Sequence, residues 1–287
     1  MYFVSNAPRL PSPLEPLDDD RLDAAGIRMF LKRDDLIHPD FPGNKWRKLK
    51  HNLAAAAGRP ILTFGGAYSG HIQATAAAGH QFGFPTIGVI RGEEHHPPNP
   101  VLARARSHGM TLHHISRRQY RDKSDPAFEA ALRARFGDFY LIPEGGANPE
   151  ALRGCAELPA EIEPHFDVLC CSSGTGATLA GIATALRPAQ RAIGYAALKP
   201  GDFLNDEVRR LQQSYGHPTA NWSIETSSHF GGYARRTPPL DAFIADFQER
   251  HNITLNWVYE AKMMSTLFTR IGAGEFPPGT ALVALLA

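Results

Sequence analysis

Three lysines and an arginine crowd the eight residues GNKWRKLK at positions 43–50. Lys45 stands just after Gly43 and Asn44, where a helix is expected to begin. The positive end of a helix dipole disfavours a cation there and lowers the amine's pKa. A nucleophilic or Schiff-base lysine needs that shift. Lys48 follows at i+3 on the same side, where its ammonium would depress Lys45 further or pair with a phosphate. Arg47 and Lys50 point elsewhere and are expected to be solvated. A solvated helix-start lysine is the ordinary reading of such a position; polar, glycine-rich clusters elsewhere in the chain favour the chemical one.

The segment SSGTGATLAG (172–181) follows an apolar run and opens a helix. Glycines let the backbone approach an anion closely, and a helix N-terminus offers free N–H groups. The amides of Gly174, Thr175, Gly176, Ala177 and Thr178 would form a phosphate cup; a merely tight strand-to-helix turn is the other reading. Leu179 stands where G-x-G-x-x-G needs its third glycine, so a dinucleotide is disfavoured, and the lysine of a P-loop is missing. GGAYSGH (65–71) has the same form, with Ser69 either facing a ligand or capping a helix. HFGGYAR (229–235) and WVYEAKMM (257–264) place Tyr233 and Tyr259 in turn-like contexts. Glu260 follows at a helix start, where an acid is favoured. EEHHPP (93–98) and His113–His114 suggest a metal at first sight. Adjacent histidines on a strand face opposite ways and no third ligand has a fixed spacing, so no metal site is expected.

These clusters need elements to hold them. MFLKRD, ILTFGG, PTIGVIRG, TLHHI, FYLIPEGG, FDVLCCSS, RAIGYAAL and TALVALLA read as strands. Helical patterns lie between most of them. In the helix beginning near Lys45, Trp46, Leu49 and Leu53 share a face, and Gly58 followed by Pro60 stops it. Asn148 is placed to cap a helix with Pro149 at its first position. Later helices are expected over PLDAFIADFQERHN and AKMMSTLFTRIG. Such alternation predicts parallel sheets flanked by helices, with ligands outside the carboxyl ends of the strands. The glycine-rich clusters fall at those ends.

The bulk composition agrees. The chain has 287 residues, 43% of them hydrophobic and 21% charged, so it can build a substantial core. Thirty basic residues balance 29 acidic ones, for a net charge of +1. That balance argues against nucleic-acid or membrane-surface partners. No apolar run reaches the roughly 20 residues of a membrane span. The first 20 residues lack the pattern of a signal peptide. Three cysteines, Cys155, Cys170 and Cys171, with no C-x-x-C, fit a reducing cytoplasm; the adjacent pair is expected to be strand core.

LKRDDL…PGNKWRKL, FGGAYSGHIQATAAAG, IPEGGANPEALRGCAEL, SSGTGATLAG, HFGGYAR and VYEAKMM occur in that order. Together they resemble the pyridoxal-phosphate family of 1-aminocyclopropane-1-carboxylate deaminase and D-cysteine desulfhydrase, from about Met29 onward. The resemblance implies a two-domain α/β fold of the tryptophan-synthase-β type (fold type II), with pyridoxal 5'-phosphate in the cleft. It implies that Lys45 bonds the cofactor, that Lys48 and residues 174–178 hold its phosphate, and that Glu260 faces the pyridine nitrogen. Ser69, Gly70 and His71 would meet the substrate, and Tyr233 and Tyr259 the reacting carbon. The family usually has Asn where this chain has Gly70, which removes a side-chain hydrogen bond. Relatives also usually continue past TALVALLA into a glycine-containing loop at the active-site mouth.

The division expected is a large cofactor-binding domain of residues 1–54 and 141–287, with residues 55–140 forming a small domain that closes the cleft. The expected activity is that of a cytoplasmic homodimer acting on a small amino acid. The first choice is D-cysteine desulfhydrase-like β-elimination to pyruvate, ammonia and sulfide. The alternatives are 1-aminocyclopropane-1-carboxylate deaminase and a catalytically weak pyridoxal-phosphate-binding protein. A nucleotide-dependent oxidoreductase is disfavoured by the broken glycine spacing.

Overall fold

The computed structural model describes residues 7–41 and 43–287. Residues 1–6 of the expected large domain, and Pro42 of the lysine cluster's PGNK turn, lie outside the described residues. In chain order come β1 (Leu14–Pro16), α1 (Asp20–Ala25), β2 (Arg28–Arg33), α2 (Lys45–Ala56), β3 (Ile61–Gly66), α3 (Gly70–Phe82) and β4 (Thr86–Arg91). Next are α4 (Pro100–Ser107), β5 (Thr111–Ile115), α5 (Arg117–Arg121), α6 (Pro126–Phe136), β6 (Tyr140–Ile142) and α7 (Pro149–Ala156). Then follow β7 (Val168–Ser173), α8 (Ala177–Thr184), β8 (Arg191–Ala196), α9 (Phe203–Tyr215), β9 (Trp222–Glu225), α10 (Pro238–His251), α11 (Glu260–Gly272) and β10 (Ala281–Leu286).

Two sheets result. The larger has the order β1-β2-β10-β7-β8-β9, and the smaller β5-β4-β3-β6. Every pairing is parallel except that of β1 with β2. This is the α/β arrangement that the alternating pattern predicts. The central strands read as unbroken apolar runs because helices cover both of their faces. All six residues of β10 are buried, as are Val168 to Cys171 of β7. Cys170 and Cys171 are strand core, as expected, and both are free thiols.

Helix α2 joins the two sheets. Leu49 and Ala56 pack with Ala74, Ala77 and Ala78 of α3, Ile61 of β3 and Ile142 of β6, and Trp46 and Leu53 border the same cluster. Its opposite side lies on α7, where a Cβ on Gly154 would stand 1.8 Å from the carbonyl oxygen of Arg47. Helix α7 also meets α8 closely, since a Cβ on Gly181 would fall 2.6 Å from the Leu152 carbonyl oxygen. Two glycines thus set the spacing of a three-helix stack. The expected stop at Gly58 comes one residue early, with Ala57 in the left-handed region at φ 51°. Asn148 caps α7 as expected, accepting from Ala151 N at 3.0 Å.

Several elements lie outside the sequence expectation: β1, α1, α5, α9 and β9. The signal for α9 was present, because Leu204, Val208 and Leu211 recur at helical spacing and all three are buried. The others are three to six residues long, too short for periodicity to register. Among the described residues no helix is long and apolar enough to cross a membrane.

Candidate active site

Lys45 opens α2, as the sequence predicts. Its Nζ donates to Asn44 Oδ1 at 3.1 Å, and Asn44 Nδ2 donates to Thr178 Oγ1 at 2.8 Å. One asparagine therefore ties the lysine to the first turn of α8. Desolvation first, then the charge of Lys48, lowers the Lys45 ammonium to about 8. Lys48 is buried, and burial lowers its pKa as well. Its Nζ donates to the Gly145 carbonyl at 3.2 Å. Among the described residues neither lysine has a carboxylate within ion-pair distance.

Arg47 corrects the expectation of a solvated side chain. It is fully buried. Nε and Nη2 fork onto Asp34 at 2.6 and 2.8 Å, and Nη1 and Nη2 fork onto Glu161 at 2.7 and 2.8 Å. Lys32 Nζ adds a 2.8 Å ion pair to Glu161 and a 2.7 Å hydrogen bond to the Ser12 carbonyl. Ser12 Oγ donates to Asp34 at 2.7 Å. Two cations balance two carboxylates, and each carboxylate is hydrogen-bonded, which is what makes such burial tolerable. Lys50 is half-buried and ion-paired to Glu157, so it too is less solvated than expected.

The glycine-rich turn runs from β7 into α8 at the predicted place. Gly176, at φ 74°, is the N-cap of α8, and among the described residues no side chain caps that helix. Its first amides have no partner within the helix. The left-handed backbone of Gly176 is one reason for glycine there, and the other is Val208, whose Cγ2 would meet a Cβ at 2.8 Å. Opposite lies the PEGGAN turn. Thr175 packs on Gly145, where a Cβ would meet Thr175 Cγ2 at 2.8 Å. A Cβ on Gly146 would meet both His71 Cε1 and Lys48 Cβ at 3.3 Å. Lys48, His71, Thr175 and the two glycines therefore share one neighbourhood.

Ser69 caps α3, its Oγ accepting from Ile72 N at 3.3 Å. The half-buried Gly70 is the first residue of that helix. His71 is buried, and Thr63 fixes its tautomer. The Thr63 hydroxyl donates to the Ile142 carbonyl at 2.8 Å, so His71 Nε2, 3.0 Å from Thr63 Oγ1, must carry a proton and donate. Nδ1 is then a bare acceptor, buried and without a partner among the described residues. Desolvation and the charges of Lys48 and Lys45 push His71 down to about 3, so it stays neutral.

Tyr259 lies over the cup, with its ring 3.4 Å from where a Gly174 Cβ would be. It packs edge-on to Tyr233 at a centroid distance of 6.1 Å, and burial raises its pKa. Tyr233 is exposed. Glu260 heads α11 and is buried. Its two oxygens accept from Asn256 N at 2.7 Å and Ala287 N at 3.0 Å. Desolvation raises it to about 7, against the lowering effect of those amides and of Lys45. Gly43 fits closely beneath, since a Cβ there would collide with the Ala287 backbone at 1.7 Å. Lys45, Lys48, Thr175, Gly176, Ala177, Thr178 and the Tyr259–Glu260 corner thus gather around the ends of α2, α8 and α11. Ser69 and Gly70 approach from α3 and, among the described residues, make no direct hydrogen bond to that group. Sequence reasoning missed Asn44, whose only signal was its place beside Lys45.

Residues 8–243 match the family described as pyridoxal-phosphate dependent enzyme. A Pyrococcus furiosus protein provisionally assigned as a 1-aminocyclopropane-1-carboxylate deaminase is 30% identical over 275 residues, covering 87% of this chain and 82% of the relative. The D-cysteine desulfhydrase of Yersinia pestis is 27% identical over 299 aligned positions, covering 96% and 88%. The crystal structure of an ACC deaminase homologue superposes with a TM-score of 0.83 at 24% identity, over 98% of this chain and 92% of that one. That superposition bears on the fold alone.

Proposed function

The chain belongs to the pyridoxal-phosphate-dependent enzymes, in the branch of 1-aminocyclopropane-1-carboxylate deaminases and D-cysteine desulfhydrases, and from that premise we propose that it is a lyase of a small β-substituted amino acid, D-cysteine before 1-aminocyclopropane-1-carboxylate. The observation that carries the reading is the pair Lys45 and Lys48. Two cationic groups in one helical turn lack any carboxylate partner among the described residues and adjoin an uncapped helix N-terminus. A dianionic phosphate supplies what both are missing, and pyridoxal phosphate adds an aldehyde for the Lys45 amine. The donor set fits that cofactor.

When bound, it supplies an electron sink for the bonds at the substrate's α-carbon. In this reading Lys45 holds the cofactor through Nζ and moves a proton at that carbon. Lys48 and the amides of residues 174–178 hold the phosphate, with the hydroxyls of Thr175 and Thr178 beside them. Glu260 faces the ring nitrogen and keeps a proton there. Ser69, the Gly70 amide and the bare Nδ1 of His71 orient the substrate. Tyr259 is a phenol at neutral pH, so it donates rather than accepts a proton; with Tyr233 it shields the reacting carbon. Gly70 leaves room for a bulkier substrate than an asparagine would. We also read the enzyme as a cytoplasmic homodimer; the buried free thiols of Cys155, Cys170 and Cys171 accord with a reducing compartment.

A panel of D- and L-amino acids with 1-aminocyclopropane-1-carboxylate, read by keto acid and sulfide, tests the reading. Pyruvate with an equivalent of sulfide from D-cysteine is the expected result. A four-carbon keto acid without sulfide would move the assignment to the cyclopropane substrate. A protein that binds the cofactor but turns over nothing would be a binding protein, and the lyase reading would fail.

A further inference from the structure

Lys262 lies in α11, two residues beyond Glu260, on the side of the helix turned away from it. It is 1% exposed and has no carboxylate partner among the described residues. Its Nζ donates instead to three backbone carbonyls: Gly232 at 2.7 Å, His229 at 2.9 Å and Ala197 at 3.3 Å. An ammonium has three N–H donors and no acceptor, whereas a neutral amine would turn a lone pair toward one of those oxygens. The geometry therefore calls for a full positive charge.

The carbonyls come from two places. Ala197 follows the end of β8, and His229 and Gly232 belong to the loop that carries Tyr233. That loop is held in an uncommon backbone. Phe230, Gly231, Gly232 and Ala234 have φ of 48°, 89°, 128° and 51°. Non-glycine residues stay in the left-handed region only where surrounding contacts fix them. The His229 and Gly232 carbonyls also accept the loop's own hydrogen bonds, from Gly232 N at 3.0 Å and Arg235 N at 3.2 Å. The ammonium is the second donor to each, and so joins the turn to the sheet and to the helix bearing Tyr259.

We propose that Lys262 is a tethered cation: its ammonium fills a backbone-carbonyl cage of the kind that binds a monovalent ion, and thereby fixes the Tyr233 loop against α11. An ammonium and a potassium ion are close in size, and both are satisfied by carbonyl oxygens. Removing the tether without closing the cage should leave a site for the free ion. The inference is independent of which substrate the enzyme takes.

Lys262→Met removes the charge and keeps most of the stem; Lys262→Ala also leaves space for methylammonium. Both are made in the full chain, saturated with pyridoxal phosphate, and compared in potassium, ammonium, methylammonium and choline chlorides at equal ionic strength. Two readouts are taken without any turnover assay: thermal midpoint, and tryptic cleavage after the exposed Arg235 and Arg236. The variants should be destabilised and cleaved quickly in choline. A small cation should restore both properties, while the parent responds to none. A cage with a dissociation constant of about 10 mM would shift the folding equilibrium about tenfold in about 100 mM salt. Variants as stable as the parent in choline would overturn the proposal. So would losses that no cation reverses, including failure of both variants to fold in every salt. Because neither readout uses catalysis, a negative result here leaves the lyase reading standing, and an inactive parent leaves the cage standing.

Discussion

Replacing Arg47 by methionine isolates the buried ion cluster, because the unbranched side chain keeps much of the volume and loses the charge. Asp34 is then fully buried with the Ser12 hydroxyl as its remaining side-chain donor among the described residues, and Glu161 keeps Lys32 and the Ser12 backbone N–H. Burial alone would raise Glu161; the hydrogen bonds and charge of Arg47, then those of Lys32, overcome it and hold the carboxyl at about 2, against an ordinary 4.5. At about 1.4 kcal/mol per pKa unit, that depression corresponds to about 3 kcal/mol of stability. Part of that belongs to Lys32, which the variant keeps; leaving a buried charge without its partner typically costs about 3–5 kcal/mol. Urea unfolding at pH 7 should therefore show a loss of about 3–5 kcal/mol. The pH dependence has a definite sign. A carboxyl depressed in the folded state contributes its full stability above its unfolded pKa and loses it as pH falls toward the folded one. The gap between parent and variant should hold above about pH 4.5 and narrow below it. Adding Glu161→Gln to the variant should recover part of the loss, since less unpaired charge remains buried. A loss under about 1 kcal/mol, or a gap that does not narrow in acid, would refute the reasoning.

Uptake of pyridoxal phosphate by the apoprotein should quicken with pH around a midpoint near 8, where Lys45 loses its proton, and Lys48→Met should move that midpoint upward; a stopped-flow pH series reads both. Borohydride reduction of the loaded protein should then fix the cofactor within residues 43–50, and a label elsewhere removes Lys45 from its role. Gly154→Ala would press a methyl into the Arg47 carbonyl and part α2 from α7, costing about 1–3 kcal/mol in urea unfolding with weakened cofactor affinity; a neutral result would mean that the helix contact gives way freely. Glu260→Gln should retain the cofactor but slow exchange of the substrate α-proton with deuterium, and equal exchange rates would count against a role at the ring nitrogen.

The repeating architecture was legible because it rests on local signals. Apolar runs ended by glycine turns mark β3, β4 and β7, and Asn148 with Pro149 marks the start of α7. The place of Lys45 at the start of α2 was legible for the same reason, since a cation there opposes the local field. Arg47 was not, because its partners Asp34 and Glu161 are distant in sequence and nothing within α2 announces them. Lys262 escaped notice in the same way. In the sequence it is one of three charged residues in α11, and only the fold shows three carbonyls converging on it. The His71 tautomer likewise depends on a threonine in a neighbouring strand and a carbonyl in a third.

Strand β10 sits between β2 and β7, and its first residue, Ala281, pairs with Arg28 about 250 residues earlier. Contacts of that sequence separation are reached late, because the intervening chain must lose its freedom first. While the chain is being synthesised, β2 has only the three-residue β1 beside it, and β7 lacks its neighbour on one side. Both present an open, apolar strand edge to other copies until β10 inserts. Folding, rather than the finished structure, is the stage at which this protein is most exposed to aggregation, and a mutation that slows insertion of β10 would reduce yield without altering any residue near Lys45.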